Sequence, residues 1–149
     1  MALQVACFVL LAVALWLGPR DHEADPADAG MRQVAGYIVG MIGAVMIGSG
    51  VAELRRARAF TVMPHPRDEG ELVERGPYRF VRHPIYGGLI LGAFGLAVIS
   101  PWAGTFAAVA LLAIVLDLKR RREETWLAER YSNYPAYRAR TKALVPFLY

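Results

Sequence analysis

Three long apolar runs restrict the folds open to this chain more than any other feature. Residues 2–18 (ALQVACFVLLAVALWLG) and 34–52 (VAGYIVGMIGAVMIGSGVA) carry no charge, and residues 85–118 carry a single one, Asp117. A bilayer core about 30 Å thick takes roughly 20 apolar residues per helix. The first two runs each suit one span. The third is too long for one, and Ser100-Pro101-Trp102 interrupts it midway, where proline ends one helix and starts the next. The pattern predicts an all-α integral membrane bundle of four transmembrane helices, over about residues 3–18, 33–56, 84–99 and 102–120. A cytoplasmic loop over 57–83 and amphipathic tail helices over 121–145 complete a single domain, residues 1–149. Pro64, Pro66, Gly70, Gly76 and Pro77 punctuate the loop.

Charge sets the expected orientation. Of 17 Lys and Arg, seven fall in residues 53–84 and eight from Lys119 onward, whereas the 19–33 loop holds only Arg20 and Arg32 beside four acids. By the positive-inside bias the basic face is cytoplasmic, and both termini lie there, in the inner membrane if the host is bacterial. The net charge of +4 is therefore a topology signal, with membrane lipids as natural partners. Nucleic acid is not an expected partner, since the basic residues flank spans and form no nucleic-acid motif. No basic residue precedes the first run, so a cleaved signal peptide is not expected. Cys7 is the sole cysteine and His22, His65 and His83 are scattered, so neither a disulfide nor a metal site is expected. In the second run Gly36-x-x-x-Gly40 has the spacing of close helix contacts in membranes.

Two short stretches carry chemistry. In Gly76-Pro-Tyr-Arg-Phe-Val-Arg-His-Pro-Ile-Tyr-Gly-Gly88, Pro84 falls in the first turn of the third helix. Free N–H groups at that helix start suit a carboxylate or phosphate, and His83 and Tyr86 add donors there. Gly87 and Gly88 leave room for a flat ring or a neighbouring helix. Arg79 and Phe80 fit an interfacial belt better than a site. The second stretch is Glu123-Glu124, directly after Lys119-Arg-Arg-Arg122. Alone it reads as a solvated helix face. On the same membrane rim as His83, it completes a pocket of both polarities for a ligand bearing a cation and a carboxylate. Asp117, the one charge within a span, is a further candidate.

Together these residues resemble the isoprenylcysteine carboxyl methyltransferase family and, more distantly, the phospholipid N-methyltransferases. The resemblance covers about residues 60–146 and rests on Gly-Pro-Tyr, Arg-His-Pro-x-Tyr-x-Gly, Glu-Glu and a Tyr-x-x-Tyr-x-x-Arg tail. It implies S-adenosylmethionine held at the cytoplasmic membrane face and a lipophilic, isoprenoid-like or lipid acceptor arriving from the bilayer. It implies that Leu72, Val73, Tyr78, His83, Tyr86 and Gly88 line the cofactor, with Glu123 and Glu124 at its amino end. Lys119 or Arg120 would face the acceptor, and His83, with those two cations, would be the catalytic group.

Carboxyl and amine methylation both remain open. A carboxylate acceptor needs only a cation to orient it, whereas an amine must lose a proton, for which His83 or a glutamate is available. Two readings from other classes compete. One is an NADPH-dependent membrane isoprenoid reductase, which shares a similar His-Pro-Tyr region, although this chain lacks a G-x-G-x-x-G phosphate cradle. The other is a non-enzymatic membrane scaffold, which leaves the pairing of His83-Pro84 with Glu123-Glu124 unexplained.

Overall fold

The computed structural model describes residues 2–18, 26–57 and 72–144. Among these the chain forms α1 (Ala2–Leu17), α2 (Pro26–Arg56), α3 (Pro84–Ile99), α4 (Ala103–Arg130) and α5 (Tyr134–Arg140). A 3-10 turn over Gly76–Arg79 precedes α3, and the only strand-like pairing among the described residues is a parallel bridge between Val81 and Lys142. The architecture is all-helical. The first part of the 57–83 loop, with Pro64, Pro66 and Gly70, lies outside the described residues, as do His22, His65 and residues 145–149.

Several helix ends differ from expectation for local reasons. α2 starts at Pro26 rather than near residue 33, because proline is preorganised for a first helical turn and Asp28 complements the dipole there. α4 runs unbroken to Arg130, since nothing between Asp117 and Arg130 is a glycine or proline. The charged stretch is therefore the last part of the same helix. α5 ends at Arg140 rather than near residue 145, as Thr141 turns to extended backbone. Among the described residues one helix, over Ala27–Arg56, is long and apolar enough to cross a membrane, and α1 and α3 are shorter apolar helices. With 16 residues, α3 rises roughly 24 Å.

Two compact units divide the chain. The first comprises Met1–Ala44 and Gly88–Asp117. In it α2 and α3 meet backbone to backbone. A Cβ added at Gly36 would lie 2.6 Å from the Gly95 carbonyl oxygen, and one at Gly43 would lie 2.6 Å from that of Gly88. Gly36 and Gly43, two helical turns apart, therefore leave no room for a side chain. A Cβ at Gly95 would in turn lie 2.6 Å from the Gly36 carbonyl oxygen and 2.9 Å from the Gly40 nitrogen, so the Gly36-x-x-x-Gly40 backbone does lie against α3, although a Cβ at Gly40 itself would meet no atom. Trp102 Nε1 donates to the Ala14 carbonyl at 2.9 Å, tying α1 to the Ser100-Pro101 break. Thr105, fully buried, accepts from the Trp102 N–H at 3.4 Å and lies 2.8 Å from the Ser100 carbonyl. That satisfies the backbone where proline interrupts the helix. Large apolar side chains such as Trp16, Tyr37 and Met41 point outward while small ones such as Ala93 and Ala97 fill the interior. Such a distribution suits an apolar solvent.

The second unit comprises Val45–Gly87 and Leu118–Tyr149. Gly76 adopts φ 57°, a left-handed conformation that glycine tolerates, and a Cβ there would press on Glu53. The tail then threads along the residues ahead of α3. Lys142 N–H donates to the Phe80 carbonyl at 3.0 Å, and Arg82 and His83 N–H donate to the Lys142 and Ala143 carbonyls at 2.8 and 3.0 Å. Tyr134 and Tyr137, one turn apart on α5, are both buried, and Tyr137 Oη donates to the Tyr78 carbonyl at 2.8 Å. A side chain at Gly87 would collide with the Leu144 carbonyl.

The glycine contacts give a paired prediction. Gly43→Ala forces two backbones apart and is expected to cost about 1–3 kcal/mol of stability. Gly40→Ala meets no atom and is expected to be neutral or to gain up to about 1 kcal/mol. Thermal unfolding in detergent compares them, and equal effects would contradict the packing.

Candidate functional site

Local sequence fixes the positions of the site residues. Pro77 is second in the 3-10 turn, Pro84 starts α3, and the Arg82-His83 pair between them is pinned by the tail's carbonyls. His83 therefore stands at the foot of α3 with Tyr86 one turn above it. Their rings stack with centroids 5.5 Å apart and planes 7° from parallel. On α4, Lys119, Arg120, Glu123 and Glu124 follow at helical spacing, so Arg120 and Glu124 are i,i+4 partners.

The two adjacent glutamates have different surroundings. Glu124 is buried at 4% exposure and is ringed by cations. Arg82 Nε lies 2.9 Å from its Oε1, Arg120 lies 3.3 Å from the same oxygen, and Arg138 Nε lies 3.6 Å from Oε2. His83 Nε2 sits 3.3 Å from Oε1 without the alignment of a full hydrogen bond. Burial by itself raises the carboxyl pKa, but the contacts from His83 and Arg82 and their charges outweigh it and hold the group down at about 2. Arg82 extends the network by bonding the Arg138 carbonyl at 3.2 Å and the carbonyl of Thr141.

Glu123 is more open. Its Oε1 accepts from Tyr86 Oη at 2.5 Å, and its Oε2 lies 3.7 Å from His83 Nδ1. Lys119 Nζ stands 5.0 Å from the centroid of the Tyr86 ring. Tyr78 is buried, and its phenol titrates above its ordinary range because of burial and then the Glu123 carboxylate. Tyr134 is pushed up to about 12, by burial first and then by Glu124.

His83, Tyr86, Lys119, Arg120, Glu123 and Glu124 are thus brought together. Val73 is buried and Leu72 half-buried ahead of the turn. Gly88 packs against Gly43 in the first unit. Asp117 is half-buried on α4. Among the described residues no group of His, Cys, Asp and Glu is arranged to hold a metal. Sequence reasoning passed over Arg82, Arg138 and Tyr134 as members of the cluster. The three-residue spacing of Tyr131, Tyr134, Tyr137 and Arg140 was the available signal for a tail face turned inward.

Residues 31–134 match the phospholipid methyltransferase family, and the chain belongs to that family. It is also similar to two curated bacterial proteins. The cobalt-zinc-cadmium resistance protein CzcN of Cupriavidus metallidurans is 34% identical over 83 residues, which are 55% of this chain and 38% of that protein. The nickel-cobalt-cadmium resistance protein NccN of Alcaligenes xylosoxydans xylosoxydans is 34% identical over 84 residues, 55% of this chain and 39% of that protein. The matched stretch spans less than two fifths of the length of either relative.

The depressed pKa of Glu124 gives a signed pH prediction. Its folded value, about 2, lies below the ordinary 4.5, so its contribution to stability is present above pH 4.5 and is lost as pH falls toward 2. Acid titration of folded protein is expected to show that loss, and Glu124→Gln to remove this part of the pH dependence. A variant with the wild-type acid profile would contradict it.

Proposed function

We propose that the protein is an S-adenosylmethionine-dependent methyltransferase of the membrane, acting on a lipophilic acceptor at the cytoplasmic face. The observation that carries this reading is the Glu123 carboxylate, held by Tyr86 and His83 at the foot of α3 and left more open than Glu124. Family membership supports the methyltransferase class. The proposed membrane arrangement takes the span of α2 together with crossings by α1, α3 and the apolar part of α4.

The residues fit the cofactor's donor set. Glu123 suits its ammonium, the amide groups at the start of α3 suit its carboxylate, and Leu72, Val73 and Tyr78 suit its adenosine. When bound, that group supplies an activated methyl on a sulfonium. Tyr86 fixes the rotamer of Glu123 by its 2.5 Å hydrogen bond, and His83 fixes Tyr86 by stacking. Such fixing serves the chief requirement of methyl transfer, in-line alignment at near-attack distance. Arg120 faces Glu124 at 3.3 Å, so Lys119 is the better placed of the two cations for an acceptor anion. Glu124 acts here as a positioning residue, because its oxygens already face Arg82, Arg120, Arg138 and His83. A lipid carboxylate is the acceptor best matched to these cations. The amine of a phospholipid is the alternative, favoured by the family, and would require Glu123 or His83 to take a proton.

The test is a thermal shift of the purified protein with S-adenosylhomocysteine and, separately, with NADPH. A ligand at 100 times its Kd stabilises by about 2.7 kcal/mol. Stabilisation by S-adenosylhomocysteine alone is expected, and it is expected to fall at the same concentration in Glu123→Gln. A shift with NADPH alone would replace this reading with the reductase, and unaltered affinity in Glu123→Gln would remove that residue from the site. His83→Ala is expected to lower turnover of labelled methyl into a lipid extract by about tenfold or more. Wild-type turnover would return His83 to a packing role.

A further inference from the structure

We propose that the 3-10 turn ahead of α3, with Arg75, Arg79, Phe80 and Lys142, is a docking surface for anionic lipid headgroups. The turn is built rigidly from behind. Pro77 accepts from the Phe80 and Val81 N–H groups, both at 3.1 Å, Tyr137 Oη holds the Tyr78 carbonyl, and Lys142 N–H holds that of Phe80. Tyr78 and Val81 are buried on the tail side. What the turn turns outward is Phe80, 57% exposed, and the exposed side chains of Arg75 and Arg79. Lys142, backbone-bonded to Phe80, is exposed as well.

None of these three cations has an ion pair or hydrogen-bonded side-chain partner among the described residues. The neighbouring acid Glu74 is engaged by Arg140 and by Asn133. Three cations framing one exposed aromatic on a preorganised turn fit a surface that is negative outside and apolar within. An anionic headgroup layer has that character, attracting each nearby Lys or Arg while an aromatic ring settles at its depth. The inference rests on the reading of α3 as a membrane helix, which sets the turn at headgroup level. Because Tyr78 lies inside the turn and His83 three residues past Phe80, lipid charge would also steady the proposed cofactor site.

The experiment reconstitutes the full chain in nanodiscs of phosphatidylcholine alone, or of phosphatidylcholine with an equal part of phosphatidylglycerol. Wild type is expected to unfold at a higher temperature with the anionic lipid. The gain should shrink in 1 M salt, where the Debye length falls to about 3 Å. The Arg75→Gln/Arg79→Gln/Lys142→Gln protein should lose most of the gain, whereas Arg122→Gln/Arg130→Gln, exposed cations of α4, should keep it. An equal gain in the triple variant would overturn the proposal, as would reproduction of the gain by inorganic phosphate over phosphatidylcholine discs. A fluorophore on Phe80→Cys in a Cys7→Ala background should be quenched by shallow nitroxide lipid, and an unquenched, water-exposed label would also overturn it. S-adenosylhomocysteine binding in the same discs reads the methyltransferase proposal separately. Its loss with the lipid response intact would sink that proposal alone.

Discussion

The second unit depends on one buried ion pair, Arg82 with Glu124. Burying either ion alone would cost several kcal/mol, and a single partner seldom repays it. Here the Glu124 carboxylate meets Arg82, Arg120 and Arg138 together, with His83 against its edge. Arg82 Nη1 donates to the carbonyls of Arg138 and Thr141. One contact thereby fastens three segments that are distant in sequence, namely the lead-in to α3, the last part of α4 and the end of α5. The tail strand can then bond Phe80, Arg82 and His83 in register.

That arrangement explains why two adjacent glutamates take different parts. Successive helical positions point about 100° apart, so one of the pair faces the cations and the other does not. Glu124 is committed to structure, and its low pKa follows from its partners. Glu123 meets a phenol and the far side of the same imidazole, which leaves it the better candidate for a ligand's positive charge. The cluster is thus layered, with an inner ion pair setting the rotamers of an outer Tyr86–Glu123–His83 group.

Much of this was legible in the sequence, and the parts that were not have physical causes. The apolar runs with Pro101 between them gave α3 and α4 their inner ends, since composition and a missing N–H act locally. His83, Tyr86 and Glu123 could be paired because a proline-broken hairpin returns the far part of α4 to the end at which α3 begins. The number of full-length spans was less legible: among the described residues only α2 meets the length and hydropathy of one, as α3 is short and α4 continues into charge without a break. The contact of Gly43 with Gly88 was hidden because six glycines in α2 offer several spacings, and only the partner's surface selects among them. Arg82, Arg138 and Tyr134 were hidden for a related reason. A basic tail reads as solvated until a buried carboxylate from another segment is brought to it.

A double-mutant cycle on Arg82 and Glu124 tests the central claim most directly. Arg82→Gln, Glu124→Gln and the double variant would be compared with wild type by the free energy of unfolding. The account predicts that each single change costs about 3 kcal/mol, because it strands a buried charge. The double change should cost clearly less than the sum of the two, by about 1–3 kcal/mol. Strict additivity would contradict the account, showing that Arg82 and Glu124 do not hold the tail to the foot of α3 through each other.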